Sequence, residues 1–196
     1  MENSDIVILG ICGSLRKDSY NRVILNAAAE SGVEGVKFKF ADIGDLPLYN
    51  QDLDNNLPEP VKRLKHDIES ADALLIVTPE YNRSVPGPLK NAIDWASRPY
   101  GKNSFDEKPV AVLGATVGRF VGTALVQYHL RGILAFMNAH LMENPQMFIT
   151  EVGEKVKDGK LVDEETKEGI KKVVDSLKKW AIRIAIEEDD ASEFGL

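Results

Sequence analysis

The stretch DIVILGICGSLRKDSYNRVIL, residues 5–25, decides how the rest of the chain is read. An apolar run of strand length, IVIL, gives way to small residues, and helical period resumes only after Ser19. Between the two lies GICGSLRKDSYN, residues 10–21, which gathers glycines, hydroxyls and the cations Arg16 and Lys17 into one turn. A strand–loop–helix unit presents backbone N–H groups and the positive end of a helix at its loop, and both favour an anion. The hydroxyls of Ser14 and Ser19 and the Asn21 amide can donate further hydrogen bonds, while Arg16 offers a planar cationic fork. The pattern is neither G-x-x-x-x-G-K-[ST] nor G-x-G-x-x-G, so a nucleoside triphosphate and a dinucleotide lose their usual support and a smaller monophosphate is left. From this loop alone a structural alternative stands equally open, in which Ser19 only caps the helix and Arg16 sits in solvent.

Outward from that unit, strand-length apolar runs alternate with helical segments. DIVILG (5–10), VKFKFADI (36–43), ADALLIVT (71–78), KPVAVLGA (108–115) and AHLMENPQMFI (139–149) read as five strands. Helical period fills the intervals. SYNRVILNAAAESG sets Val23, Leu25, Ala28 and Ala29 on one side, and PEPVKRLKHDIES, opened by prolines, groups Val61, Leu64 and Ile68. GPLKNAIDWAS, GTALVQYHLRGILAFM and DEETKEGIKKVVDSLKKWAIRIA complete the series. Alternation of this kind, with the third and fourth strands almost continuously apolar, predicts an α/β protein with a parallel sheet covered on both faces. Five strands and five helices fit a flavodoxin-like, doubly wound sheet of order 2-1-3-4-5. Ligands then bind beyond the carboxyl ends of the strands, where the loops after strands 1 and 3 diverge.

Composition limits the function classes. With 196 residues the chain suits one domain with an adequate core, expected over residues 1–186, followed by an acidic C-terminal tail at 187–196 that begins Glu187-Glu188-Asp189-Asp190. A net charge of -7 argues against general nucleic-acid binding. No apolar run nears the ~20 residues needed to span a bilayer, and the N-terminus lacks a secretory pattern, so a cytoplasmic protein without membrane partners is expected. Cys12 is the single cysteine, which excludes an intramolecular disulfide, a C-x-x-C redox pair and a Cys-ligated cluster. Redox chemistry would need a borrowed cofactor. His66, His129 and His140 lack metal-ligand spacing, and no metal is expected.

The loop after the third strand, TPEYNRSVPGPLKNAIDW (residues 78–95), is the second informative turn. Pro79, Glu80, Tyr81 and Asn82 stand at the strand end, and Pro86 and Pro88 stiffen the approach to the next helix. Such a turn can clamp a flat ring: Tyr81 lays an aromatic surface near an isoalloxazine, and N–H groups around Glu80 to Asn82 bond its pyrimidine edge and stabilise charge on reduced flavin. The plain alternative is a packed Tyr81 and a solvated Glu80.

Taken in order, GSLRKDSYN, LPLYNQDL, ADALLIVTPEYNRSVPGPLKNAIDWASRP, GATVGRFVGT and QYHLRGIL resemble the NADPH-dependent FMN reductase family, in its chromate and quinone reductase branch. The resemblance covers roughly residues 5 to 150. It implies a flavodoxin-like fold, FMN as cofactor, NADPH or NADH as co-substrate, and a homodimer or homotetramer. By motif position, Ser14, Leu15, Arg16, Lys17, Asp18, Ser19, Tyr20 and Asn21 resemble the phosphate loop, and Pro79, Glu80, Tyr81 and Asn82 the isoalloxazine loop. Thr116, in GATVG, stands where relatives often carry serine; its extra methyl, with Val117 and Arg119 nearby, alters that side of the pocket.

The implied activity is reduction of quinones, free flavins, azo compounds or metal ions such as chromate, by ping-pong hydride transfer with no catalytic side chain. The alternative is a flavodoxin-like one-electron carrier without NAD(P)H turnover. Cys12 is assigned to packing. Arg83 and Arg119 are either contacts for a 2′-phosphate or ordinary surface cations. Tyr49 and Asn50 either approach a neighbouring subunit's flavin or sit in solvent. The resemblance places Tyr128, His129 and Arg131 at a subunit contact, the other reading being a groove of the monomer.

Overall fold

A computed structural model describes residues 5–194 of the chain, with side chains described as far as Glu187. The first strand, β1 (Ile6–Cys12), leads through the opening loop to α1 (Tyr20–Ala29), and β2 (Val36–Phe40) follows. A 3-10 turn (Gln51–Leu53) precedes α2 (Glu59–Glu69), and then come β3 (Ala73–Val77), α3 (Gly87–Ala96), β4 (Pro109–Ala115) and α4 (Ala124–Phe136). All strand pairings in the main sheet are parallel, and its order is β2-β1-β3-β4-β5, as the alternating pattern predicts.

The last strand differs from its expected form. The run 139–149 is divided into β5 (His140–Leu141) and β6 (Phe148–Ile149), which pair with opposite ends of β4, at Pro109–Val110 and Gly114–Ala115. The intervening Glu143-Asn144-Pro145 accounts for the break, because proline has no N–H to give a ladder and asparagine favours turns. A short helix α5 (Val152–Lys155), a hairpin of β7 (Val156–Lys157) and β8 (Lys160–Leu161), and the long α6 (Glu164–Phe194) complete the chain. Helix α6 continues across the expected boundary at residue 187, where Glu187 pairs with Arg183 at 2.9 Å, and the remaining side chains of the expected acidic tail lie outside the described residues.

Side-chain alternation along the strands builds two apolar layers. Ile8, Cys12, Ala73, Leu75, Val77, Ala111 and Leu113 face α1 and α6, whereas Leu9, Ile11, Leu74, Ile76, Val110 and Val112 face α2, α3 and α4. Cys12 thus packs, as expected. On α1 the inward residues are Ile24, Leu25 and Ala28, while Val23 and Ala29 lie at its margins. Helices α2 and α3 both carry proline in their first turn, where a missing N–H costs no hydrogen bond.

At the edge where β3 and β4 begin, Lys65 is buried and its ammonium donates to the Ala96 and Lys102 carbonyls and to Ser104 Oγ, at 3.0, 2.7 and 2.7 Å. Burial pushes this amine below the usual lysine range, and the three acceptors offset part of that penalty. The clamp secures the connection from α3 to β4 at the edge opposite the opening loop.

Candidate functional site

Parallel strands bring the loops after β1, β3 and β4 to one edge, and two glycines let them meet closely. A Cβ on Gly13 would lie 2.3 Å from Thr78 Oγ1, and one on Gly114 would lie 2.5 Å from the Thr78 carbonyl oxygen. Neither distance is tolerable for a side chain, so glycine at both positions fixes how the strand ends converge. Gly13 N–H donates to Val77 at 2.9 Å, and Thr78 N–H donates to Leu113 at 3.0 Å.

In the opening loop, Ser14 and Ser19 are buried and Leu15, Arg16, Lys17 and Asp18 are exposed. Ser14 Oγ accepts the Arg16 N–H at 3.3 Å, which shapes the turn. Ser19 is the N-cap residue of α1, but its hydroxyl makes no capping bond. The purely structural alternative for Ser19 therefore leaves its hydroxyl unexplained. Tyr20 and Asn21 form the first turn of α1, where helix geometry leaves N–H groups without intrahelical acceptors. Among the described residues Arg16 and Lys17 form no ion pair, so two exposed cations border a turn rich in donors.

Asn21 departs from its expected part. Its Nδ2 donates to the Ala115 carbonyl at 3.0 Å, and its Oδ1 accepts the Ala115 N–H at 2.9 Å. With both ends of the buried amide engaged, Asn21 ties α1 to the end of β4 and supports the loop from behind, instead of extending toward an anion.

The loop after β3 is a tight reversal. Tyr81 and Ser84 exchange backbone hydrogen bonds at 3.1 and 3.0 Å, and Asn82 and Arg83 occupy the turn with φ of 49° and 66°. Asparagine accepts that conformation readily; at Arg83 it is strained. The Tyr81 N–H is thus consumed inside the turn and drops out of the N–H groups around Glu80 to Asn82 that were expected at the pyrimidine edge. Those of Glu80 and Asn82 have no partner among the described residues. Tyr81 keeps its ring about half exposed. Glu80 is not solvated: its side chain is 9% exposed, Oε2 accepts the Val126 N–H of α4 at 3.2 Å, and Oε1 pairs with Arg83 at 3.4 Å.

Between this turn and the loop after β4 lies a cleft of about 550 Å³ bordered by Glu80, Asn82, Arg83, Thr116, Arg119 and Phe120. Thr116 Oγ1 accepts the Gly118 N–H at 3.2 Å, so the hydroxyl orders its own turn. Arg119 pairs with Glu151 at 3.3 Å. Phe120 is almost wholly exposed, a feature that the sequence did not single out. Tyr49 has a partner in its own chain: it packs edge-on against Trp95 with ring centroids 5.0 Å apart, and its N–H donates to Asn91. Asn50 caps the 3-10 turn. On α4, Arg131 turns inward to the Met142 carbonyl and Glu143, whereas Tyr128 and His129 remain exposed. Among the described residues no group of acidic, histidine or cysteine side chains could hold a metal.

A doubly wound parallel sheet of this order, with the loops after β1, β3 and β4 meeting at its switch point, defines a flavodoxin-like α/β protein. The chain belongs to the NADPH-dependent FMN reductase family, whose model matches residues 6–154. It is an oxidoreductase with FMN as cofactor and a reduced nicotinamide nucleotide as co-substrate. A Burkholderia 2-hydroxy-1,4-benzoquinone reductase is 45% identical over 87% of this chain and 93% of its own. A Solanum tuberosum NAD(P)H:quinone oxidoreductase is 42% identical over 91% of this chain and 94% of its own. The solved structure of FerB, a flavoenzyme NAD(P)H:(acceptor) oxidoreductase from Paracoccus denitrificans, superimposes with a TM-score of 0.83 at 41% identity, covering 91% of this chain and 98% of that one.

Proposed function

We propose that the chain is a quinone reductase in which NAD(P)H and a quinone take turns at one cleft. The observation that carries this reading is the cleft between the turn after β3 and the loop after β4, which borders the free N–H groups and opens directly to solvent. FMN supplies the two-electron chemistry when bound. The side chains of Ser14, Arg16 and Ser19, with the N–H groups of the first turn of α1, would hold its phosphate. The N–H groups of Glu80 and Asn82 would hold the pyrimidine edge, with Tyr81 offering an aromatic surface to the ring. No side chain is required as acid or base; the protein positions the ring and supports charge on it. The relatives named for quinones favour a quinone acceptor. An open cleft has few shape restrictions, so free flavins, azo compounds and chromate fall within the same proposal.

Because donor and acceptor share the cleft, the nicotinamide product must leave before the acceptor enters. Initial-rate plots with NAD(P)H and a quinone are expected to give parallel lines; intersecting lines would refute the shared site. A cytoplasmic location is part of the same proposal. Among the described residues no helix is long and apolar enough to cross a membrane.

The same reading includes a homodimer or homotetramer. A groove of about 830 Å³ between α3 and α4, lined by Tyr128, His129, Ile133 and Phe136, leaves the Phe136 ring 90% exposed, and a second copy would cover it. Light scattering at micromolar concentration is expected to report more than one chain per particle, and a monomer would remove this part.

A further inference from the structure

Helix α4 does not cap itself. Its N-cap residue, Thr123, makes no side-chain capping bond, because Oγ1 is turned to accept Nε2 of Gln127 at 3.0 Å, and its first turn contains no acidic residue. The acceptor comes instead from Glu80, 46 residues earlier, which meets the Val126 N–H at 3.2 Å. A nearly buried carboxylate is costly unless matched, and here it is matched twice, by the positive end of α4 and by Arg83. The backbone of the same residue lies in the turn whose Glu80 and Asn82 N–H groups stay free, so the bond that caps α4 also fixes the direction of those donors.

We propose that Glu80 is a positioning residue for the flavin ring: anchored on the N-terminus of α4, its carboxylate holds the turn after β3 in register with the pyrimidine edge, and its charge helps set the potential of the bound ring. The inference rests on the reading of the cleft as the flavin site. A free carboxylate beside the ring would oppose negative charge gathering there on reduction, and the pairing to α4 and Arg83 moderates that opposition. Position and charge are separable. Glu80→Gln keeps an oxygen to accept the Val126 N–H but removes the charge, whereas Glu80→Ala removes both.

The test measures FMN and riboflavin binding by calorimetry, the midpoint potential of bound FMN, and thermal unfolding of the flavin-free proteins to establish that each variant folds. Glu80→Ala is expected to weaken FMN and riboflavin alike, by about tenfold, the effect of losing one good cap. Glu80→Gln is expected to retain most of the affinity and to raise the midpoint potential, a change that a purely structural role would not produce. Glu80→Ala binding both flavins like the wild type overturns the inference, as does Glu80→Gln leaving the potential unmoved. Weakening confined to FMN would place the influence of Glu80 at the phosphate and also overturn it, with the flavin site intact. Wild-type protein that binds neither flavin would overturn the site and the inference together.

Discussion

Replacing Asn21 by alanine separates a residue that builds the proposed phosphate loop from one that would touch the phosphate. The Asn21 amide gives and receives one hydrogen bond with the Ala115 backbone, at 3.0 and 2.9 Å, and Asn21 and Ala115 are 3% and 2% exposed. Alanine would leave the Ala115 N–H and carbonyl without partners in a site that water reaches poorly. Each orphaned group costs about 1–3 kcal/mol, and partial relaxation brings the pair to about 3 kcal/mol. For a chain of this size that corresponds to a melting temperature lower by about 6–12 °C. The decisive assay is thermal unfolding of the flavin-free protein, because the loss should appear before any ligand is present. Weaker FMN binding should accompany it, as the loop loses its tie to β4. A variant that melts like the wild type without flavin, yet binds FMN poorly, would refute the reasoning and return Asn21 to the role of direct ligand.

Two further substitutions probe opposite edges of the sheet. Arg16→Ala should weaken FMN by about one to two decades while leaving riboflavin nearly unchanged, since a charge-assisted bond to phosphate contributes about 1.5–3 kcal/mol; calorimetry showing equal weakening of both ligands would make Arg16 structural. Lys65→Met should destabilise the fold by about 3 kcal/mol, because three acceptors lose a buried cationic donor, yet leave FMN affinity unchanged. Denaturant unfolding reads the first effect, and a parallel fall in FMN affinity would contradict the separation of the clamp from the site.

The order of strands and helices was open to reading because it depends on short-range pattern. Continuous apolar runs at β3 and β4, helical spacing in α2 and the prolines opening α2 and α3 act over a few residues, and each survives folding where it was expected. The run 139–149 shows the limit of that reading: its apolar residues sit in strands, but Pro145 forces the chain out of the sheet between them. The loops that form the candidate site were also legible, since a doubly wound sheet puts the loops after β1 and β3 at its switch point.

Sequence alone determined which side chains stand near that site: Ser14, Arg16, Ser19, Glu80 and Tyr81 are there because strand ends and turn residues place them. Tertiary structure decided what each has left to offer. Asn21 is committed to a backbone 94 residues away, Glu80 to a helix 46 residues away, and the Tyr81 N–H to its own turn. Hydrogen-bond partners at a sheet edge depend on which strand ends approach within about 3 Å, and that approach is set by packing at Gly13 and Gly114. No local pattern in the chain encodes it.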